Sequence, residues 1–164
     1  MSGTAIISPC ERYRYLLTRG PAEAPYALFV MLNPSTATAD RDDPTIRRCR
    51  GFAEALGLQL RVVNIFAWRS TDPEAMKRAA RDGADIIGPE NDRHIGEQAA
   101  GAATVICAWG NHGSWAGRDR EARRLIRAAG AVPHYLRRSA KTGQPEHPLY
   151  LPANLRPQPF EAWA

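Results

Sequence analysis

Nothing in the 164-residue chain approaches the roughly 18 consecutive apolar residues that a membrane span needs, so no transmembrane segment is expected. The opening stretch, MSGTAIISPCERYRYLL, lacks a basic region followed by a long apolar run, and no secretory signal is expected either. Cysteine is scarce. Cys10, Cys49 and Cys107 are odd in number and far apart, which argues against a disulfide framework and against a metal-ligand cluster. These absences point to a reducing, cytoplasmic setting and to chemistry without a metal or redox cofactor. Lysine is nearly missing as well, since 20 of the 22 basic residues are arginine. The net charge of +5 permits an anionic partner such as nucleic acid, although arginine richness also follows from a GC-rich genome.

What is present is globular composition, 44% apolar and 24% charged, over a length that fits one domain spanning residues 1–164. Residues 26–32 (YALFVML) form a continuous apolar run, as expected of a central strand covered on both faces. Residues 60–66 (LRVVNIF), 103–109 (ATVICAW) and 131–136 (AVPHYL) have the same character, with Pro133 marking an edge or a strand start. Residues 12–18 alternate and suit an antiparallel edge strand. Asp43-Pro44 is an N-cap and first-turn pair opening a helix that Gly57 stops. Further helices are expected from Thr71-Asp72-Pro73 to Asp82, from Pro89 to Ala100, and over residues 117–129. The C-terminal stretch from His147 is proline-rich and is expected to pack as an irregular tail.

Strands alternating with helices imply an α/β fold, a three-layer α/β/α arrangement around a mainly four-stranded parallel sheet. Ligands of such sheets bind beyond the carboxyl ends of the strands, so function should reside in four loops. The first carries Asn33-Pro34-Ser35, which offers a free amide or simply a turn. The second strand holds Asn64 within VVNIF. That amide either reads a donor/acceptor edge on a ligand or bridges to a neighbouring loop. Phe66 and Trp68 follow it, as stacking platforms or as core. The third strand ends in Trp109-Gly110-Asn111-His112-Gly113, where paired glycines allow a close backbone approach or a tight turn. After the fourth strand, His147 is fixed between Pro145 and Pro148, near Arg137, Arg138 and Lys141.

The order MLNPS, VVN, WG and HP resembles the uracil-DNA glycosylase superfamily. Over nearly its full length, through MLNPSTA, DDPTIRRC, VVN-F, GPEND, AWG and HPLYL, the chain also resembles a family of bacterial and phage domains of unknown function. The glycosylase resemblance implies that Asn33 holds the attacking water, Asn64 binds the base edge and His147 hydrogen-bonds the base oxygen as charge develops. Ser35, Trp109 and Gly110 would complete the base pocket. Phe66, Trp68 or Tyr26 would stack on a flipped base, and Arg137, Arg138 and Lys141 would neutralise phosphates.

Departures accompany the resemblance. Position 33 is Asn where a catalytic Asp would serve as base; Asp40, Asp42, Asp43 or Asp92 are substitutes, with Asp43 better explained as a helix cap. No serine follows His147-Pro148, and Leu149 and Tyr150 are the nearest candidates for an apolar wedge. Four cysteines for an iron–sulfur cluster are absent. Gly88-Pro89-Glu90-Asn91-Asp92 reads first as a helix cap through Asn91 or Asp92, and second as a source of substrate contacts.

Three functions follow as expectations. The first is a glycosylase-like hydrolase acting on an unusual or modified base in DNA. The second is an enzyme acting on free nucleotides, nucleosides or another small metabolite. The third is a non-catalytic binder of nucleic acid or protein. A monomer is the expected state, with DNA or a nucleotide as partner and no membrane.

Overall fold

The apolar run at residues 26–31 becomes the middle strand of a seven-stranded sheet in the computed structural model, which describes residues 3–162. Among the described residues the strands are β1 (Gly3–Ile7), β2 (Arg14–Arg19), β3 (Tyr26–Met31), β4 (Gln59–Asn64), β5 (Thr104–Cys107), β6 (Pro133–Tyr135) and β7 (Gln158–Pro159). They lie in the order β1-β2-β4-β3-β5-β6-β7. β4, β3, β5 and β6 are mutually parallel; β2 and β7 pair antiparallel with the two margins of that core, and β1 pairs antiparallel with β2. The helices are α1 (Pro44–Ala55), α2 (Pro73–Arg81), α3 (Asn91–Gly101) and α4 (Arg118–Ala128).

Period-two alternation divides the sheet between two apolar layers. Ala27, Phe29 and Met31 of β3 pack with Ile46, Cys49 and Phe52 of α1 on one face. Leu28 and Val30 pack with Met76 of α2, Ile95 of α3 and Ile126 of α4 on the other. The fold is therefore α/β with helices on both faces. β3 leads to α1 on one face while β5 leads to α4 on the other, so a crevice opens between their carboxyl ends.

Three expectations are corrected. Residues 12–18 were expected to hold an edge strand, but β2 is an inner strand because β1 pairs outside it. The C-terminal tail is not wholly irregular. Its β7 covers the outer edge of β6, and Phe160 is buried against Tyr135 with ring centroids 4.9 Å apart. Residues 163–164 of that tail lie outside the described residues. The third helix begins at Asn91 rather than Pro89, for a reason that belongs to the site below.

β1 and β2 do not pair evenly. Ile6 lies opposite Leu16 and Ile7 opposite Arg14, which leaves Tyr15 as the extra residue of a β-bulge. A bulge reverses the alternation beyond it. Tyr15 turns to the α3 side, where its ring stacks on His94 at 5.1 Å. Arg14 is thereby aimed to the α1 side, as Leu17 is.

The loop from β3 to α1 is tied down by the other arginine of β2. Arg19 donates to Asp42 at 2.8 Å, to Thr18 O at 2.8 Å, to Thr38 O at 2.5 Å and to Arg41 O at 3.1 Å. Asp42 also accepts from Arg50 at 2.9 Å. Burial acts to raise the Asp42 pKa, but the two guanidinium bonds outweigh it and hold the carboxyl below its ordinary value. Asp42→Ala should therefore cost on the order of 3 kcal/mol at neutral pH, by stranding the Arg19 charge. The contribution is fully present above the ordinary carboxyl pKa of 3.8 and disappears as pH falls through the lower folded value. Urea unfolding of both proteins at neutral and at acid pH checks this, because the gap between them should close in acid.

Candidate functional site

At the carboxyl end of β4, the valine-rich strand that packs Val62 against α1 also directs Asn64 to that side. Asn64 is 1% exposed. Neither its Nδ2 nor its Oδ1 has a hydrogen-bond partner among the described residues. An unpaired buried polar group costs about 1–3 kcal/mol. Fold stability gains nothing from such a side chain, so its presence needs another account. The backbone here is fully held by comparison. Asn91 Nδ2 donates to Asn64 O at 2.7 Å and to Ile65 O at 3.3 Å, and Arg118 donates to Ile65 O through Nε at 3.0 Å and Nη2 at 2.8 Å.

Asn64 borders a cavity of about 490 Å³ to which all four loops contribute. From the β3 loop come Asn33, Ser35 and, at the start of α1, Asp43. The Asn33 amide nitrogen donates to Ser70 O at 2.8 Å and Pro34 O at 3.2 Å, which fixes the side chain and leaves Oδ1 without a partner among the described residues. Asp43 caps α1, accepting from Ile46 N at 2.9 Å through Oδ1. Its second carboxylate oxygen has no partner among the described residues, so capping leaves it available to the cavity.

The β5 and β6 loops complete the wall with Trp109, Gly110, His112 and His147. Trp109 Nε1 donates to Gln144 Oε1 at 2.8 Å, and Gln144 Nε2 donates to Asp119 at 2.8 Å, so the two loops are pinned together. Gly110 N donates to Pro145 O at 2.8 Å, adding a backbone tie beside His147. Arg48 of α1 donates to Pro148 O at 3.4 Å and to Leu151 O. Leu149 N donates to His147 Nδ1 at 3.3 Å, which assigns the proton of the neutral ring to Nε2. The side chain is exposed to solvent, yet desolvation on its packed side lowers its pKa, against the pull of Asp43. His147 is therefore a neutral hydrogen-bond donor at physiological pH.

One further wall residue was invisible as a site residue in the sequence. Arg14, aimed here by the bulge, lines the cavity while 2% exposed. Nη1 donates to Ala37 O at 3.1 Å, and Nε is buried without a partner. Burial pushes its pKa down to about 10, with Asp43 opposing.

A family model described as "Protein of unknown function (DUF1643)" matches residues 14–149. The chain belongs to this family. No curated protein and no solved structure matches it. The DUF1643 match begins at Arg14 and ends at Leu149, which are also the first and last residues that line the cavity.

Within this DUF1643 domain, Asn33, Ser35, Asn64, Trp109, Gly110 and His147 all meet at the cavity, as does Leu149. The aromatic platforms do not. Phe66 is buried in the opposite layer because the chain turns after Asn64, and its ring meets Trp115 at 6.1 Å. Trp68 packs edge-on against Tyr13. Tyr26 lies at the amino end of β3, far from the cavity, with its hydroxyl donating to Gln98 O at 2.6 Å. Of the substitute bases, Asp42 is bound by Arg19 and Arg50, Asp92 by Arg118 at 2.9 Å, and Asp40 is exposed outside the cavity wall. Arg137 pairs with Glu146 at 2.5 Å and Arg138 with Glu161 at 3.1 Å, while Lys141 is exposed and lines no part of this cavity. Tyr150 is 90% exposed beside the His147 loop.

Gly88-Pro89-Glu90-Asn91-Asp92 is corrected too. No side chain caps α3; Asn91 holds the end of β4 and Asp92 holds Arg118. Gly88 has φ +96, and a Cβ there would lie 3.0 Å from Tyr15 and 3.2 Å from Ala67, so this approach needs glycine. Gly113 likewise makes room for Trp109, whose Cδ1 is 1.9 Å from where a Cβ would stand, rather than for a ligand.

These contrasts set opposite expectations for two asparagines. Asn91→Ala strands the Asn64 carbonyl, while Ile65 O keeps Arg118, and should cost about 1–3 kcal/mol. Asn64→Leu removes an unpaired amide at nearly constant volume and should leave stability unchanged or raise it by about 1 kcal/mol. Chemical unfolding of the two variants beside the wild type measures both.

Proposed function

We propose that this cavity is the active site of a glycosylase-like hydrolase that cleaves the N-glycosidic bond of an unusual or modified base in DNA. The observation that carries the reading is the buried, unpartnered carboxamide of Asn64, which offers one donor and one acceptor to a planar base edge. Such a group is satisfied by a ligand that supplies the missing partners, and it rejects ligands that cannot.

The chemistry follows from the groups around Asn64. As the C1′–N bond breaks, both electrons leave with the base and positive charge develops on the sugar. A neutral His147 with its proton on Nε2 is suited to hydrogen-bond the base oxygen that takes up the charge. Asn33 Oδ1 can hold the water that adds to C1′. Asp43, with one oxygen free, is placed on the same cavity wall to accept that water's proton, a role Asn33 cannot fill. The departing base is protonated from solvent.

A second reading, cleavage of the same bond in a free nucleotide or nucleoside, is favoured by a separate observation. Arg137 and Arg138, expected at a DNA-binding mouth, are each occupied by a glutamate. Trp68, Phe66 and Tyr26 also stand away from the cavity, which leaves a flipped base without the expected platform.

Base release should be assayed from oligonucleotides carrying uracil, mismatched, deaminated and hydroxymethylated bases, and in parallel from the corresponding nucleosides and nucleotides. Wild type should release at least one base, Asn64→Ala should lose at least about a hundredfold in rate and His147→Ala a similar amount, by analogy with loss of one oxyanion donor. No release from any member of the panel removes the hydrolase reading. The pH profile carries its own sign. Because the His147 pKa lies below 6.5, activity that needs neutral histidine should rise through the acid range and be level above that value. A profile that falls between mildly acid and neutral pH excludes His147 as a neutral donor.

A further inference from the structure

The two buried arginines of β2 face the same side of the sheet and differ in one respect. Arg19 has a carboxylate and three carbonyls as partners, which accounts for it as part of the framework. Among the described residues Arg14 has one carbonyl partner, Ala37 O, and its Nε is buried with none. Among the described residues no carboxylate oxygen lies within the 4.0 Å of an ion pair with Arg14. A guanidinium 2% exposed in this condition is a charge taken out of water and left largely uncompensated. The bulge at Tyr15 is what aims it, since unbroken pairing of β1 with β2 would turn Arg14 to the other face.

The surroundings of Arg14 suit an oxyanion. The side chain lines the same cavity as Asn64, together with Ser35, Thr45 and Thr71, whose hydroxyls are donors without partners among the described residues. The first turn of α1, a helix of 12 residues, borders it through Thr45 and Ile46, and the positive end of a helix dipole favours an anion. Asp43 is the carboxylate whose charge acts on Arg14, and it is itself held by capping α1.

We infer that Arg14 is an anion subsite and that the substrate of this cavity brings a phosphoryl group to it. The inference rests on the cavity being the substrate site, but not on the bond that is cleaved there. Asn64 then reads the base edge while Arg14 and the hydroxyls take the phosphate of the same molecule. The planar guanidinium suits two phosphoryl oxygens, in a setting where burial strengthens the attraction. The phosphoryl group could arrive on a free mononucleotide or within a strand, and these sources separate experimentally.

The test is equilibrium binding to the full chain, followed calorimetrically, with inorganic phosphate, deoxyuridine, deoxyuridine 5′-monophosphate and a deoxyuridine dinucleotide as probes. Wild type should bind inorganic phosphate and prefer the monophosphate to the nucleoside by at least tenfold. Arg14→Met should abolish phosphate binding and that preference while melting at or above the wild-type temperature. Arg14→Lys should keep part of the preference and Arg14→Gln none, so that the comparison survives if the methionine variant folds poorly. A preference shared by the dinucleotide assigns the phosphate to a strand, and one confined to the monophosphate assigns it to a free nucleotide; either supports the subsite. Equal binding of nucleoside and monophosphate by wild type, or a preference that persists in Arg14→Gln, overturns it. Phosphate preference without base release from any substrate would retain the subsite and remove only the hydrolase reading.

Discussion

Two backbone carbonyls at the carboxyl end of β4, those of Asn64 and Ile65, set the terms for the rest of the structure. Where a central parallel strand stops, its last acceptors lose their ladder partners and must be met from elsewhere. Here they are met from the far face, by Asn91 of α3 and Arg118 of α4. Asp92 in turn holds Arg118, so GPEND binds the start of α3 to the start of α4 and both to the sheet. With its backbone held from behind, Asn64 keeps its orientation although its own side chain has no hydrogen-bond partner among the described residues. In the proposed base-reading role, a rigid carboxamide at a strand end has its ordering cost met in folding.

The same separation of framework from function recurs in the charges. Arg19, Arg118 and Arg138 are arginines with carboxylate partners that hold loops in place. Arg14 is buried yet short of partners, and it lies at the cavity. Burial disfavours its charged form, but a pKa of about 10 leaves it cationic at neutral pH. Under the proposed anion subsite, stability and recognition use the same residue type in two environments, and the number of partners distinguishes them.

Much of this was legible in the chain. The four parallel strands follow from short apolar runs, and Asp43-Pro44 marks the start of α1 because capping chemistry is local. Asn64 was legible because a polar residue inside VVNIF has no apolar explanation, and His147 because two prolines fix it. What depends on tertiary register was not. Arg14 sits in an alternating RYRYLL pattern that reads as an edge strand, and only the bulge opposite Ile6 and Ile7 turns it inward. Phe66 has the parity of Asn64, but the strand ends between them and the ring goes to the other layer. Asn91 looked like a cap because it begins a helix; its partners are 26 and 27 residues away in sequence, where local pattern carries no signal.

The central claim is that the Asn64 carboxamide, without a partner among the described residues, is completed by the edge of a base. Side-chain amide resonances report this directly, with the Asn64 signal assigned by its absence from the Asn64→Asp variant. Titration with free nucleobases should shift the Asn64 Nδ2 protons saturably for at least one base, while the Asn91 amide stays fixed by its carbonyls. An Asn64 amide that responds to no base, or that is already protected from solvent exchange as Asn91 is, would contradict the account.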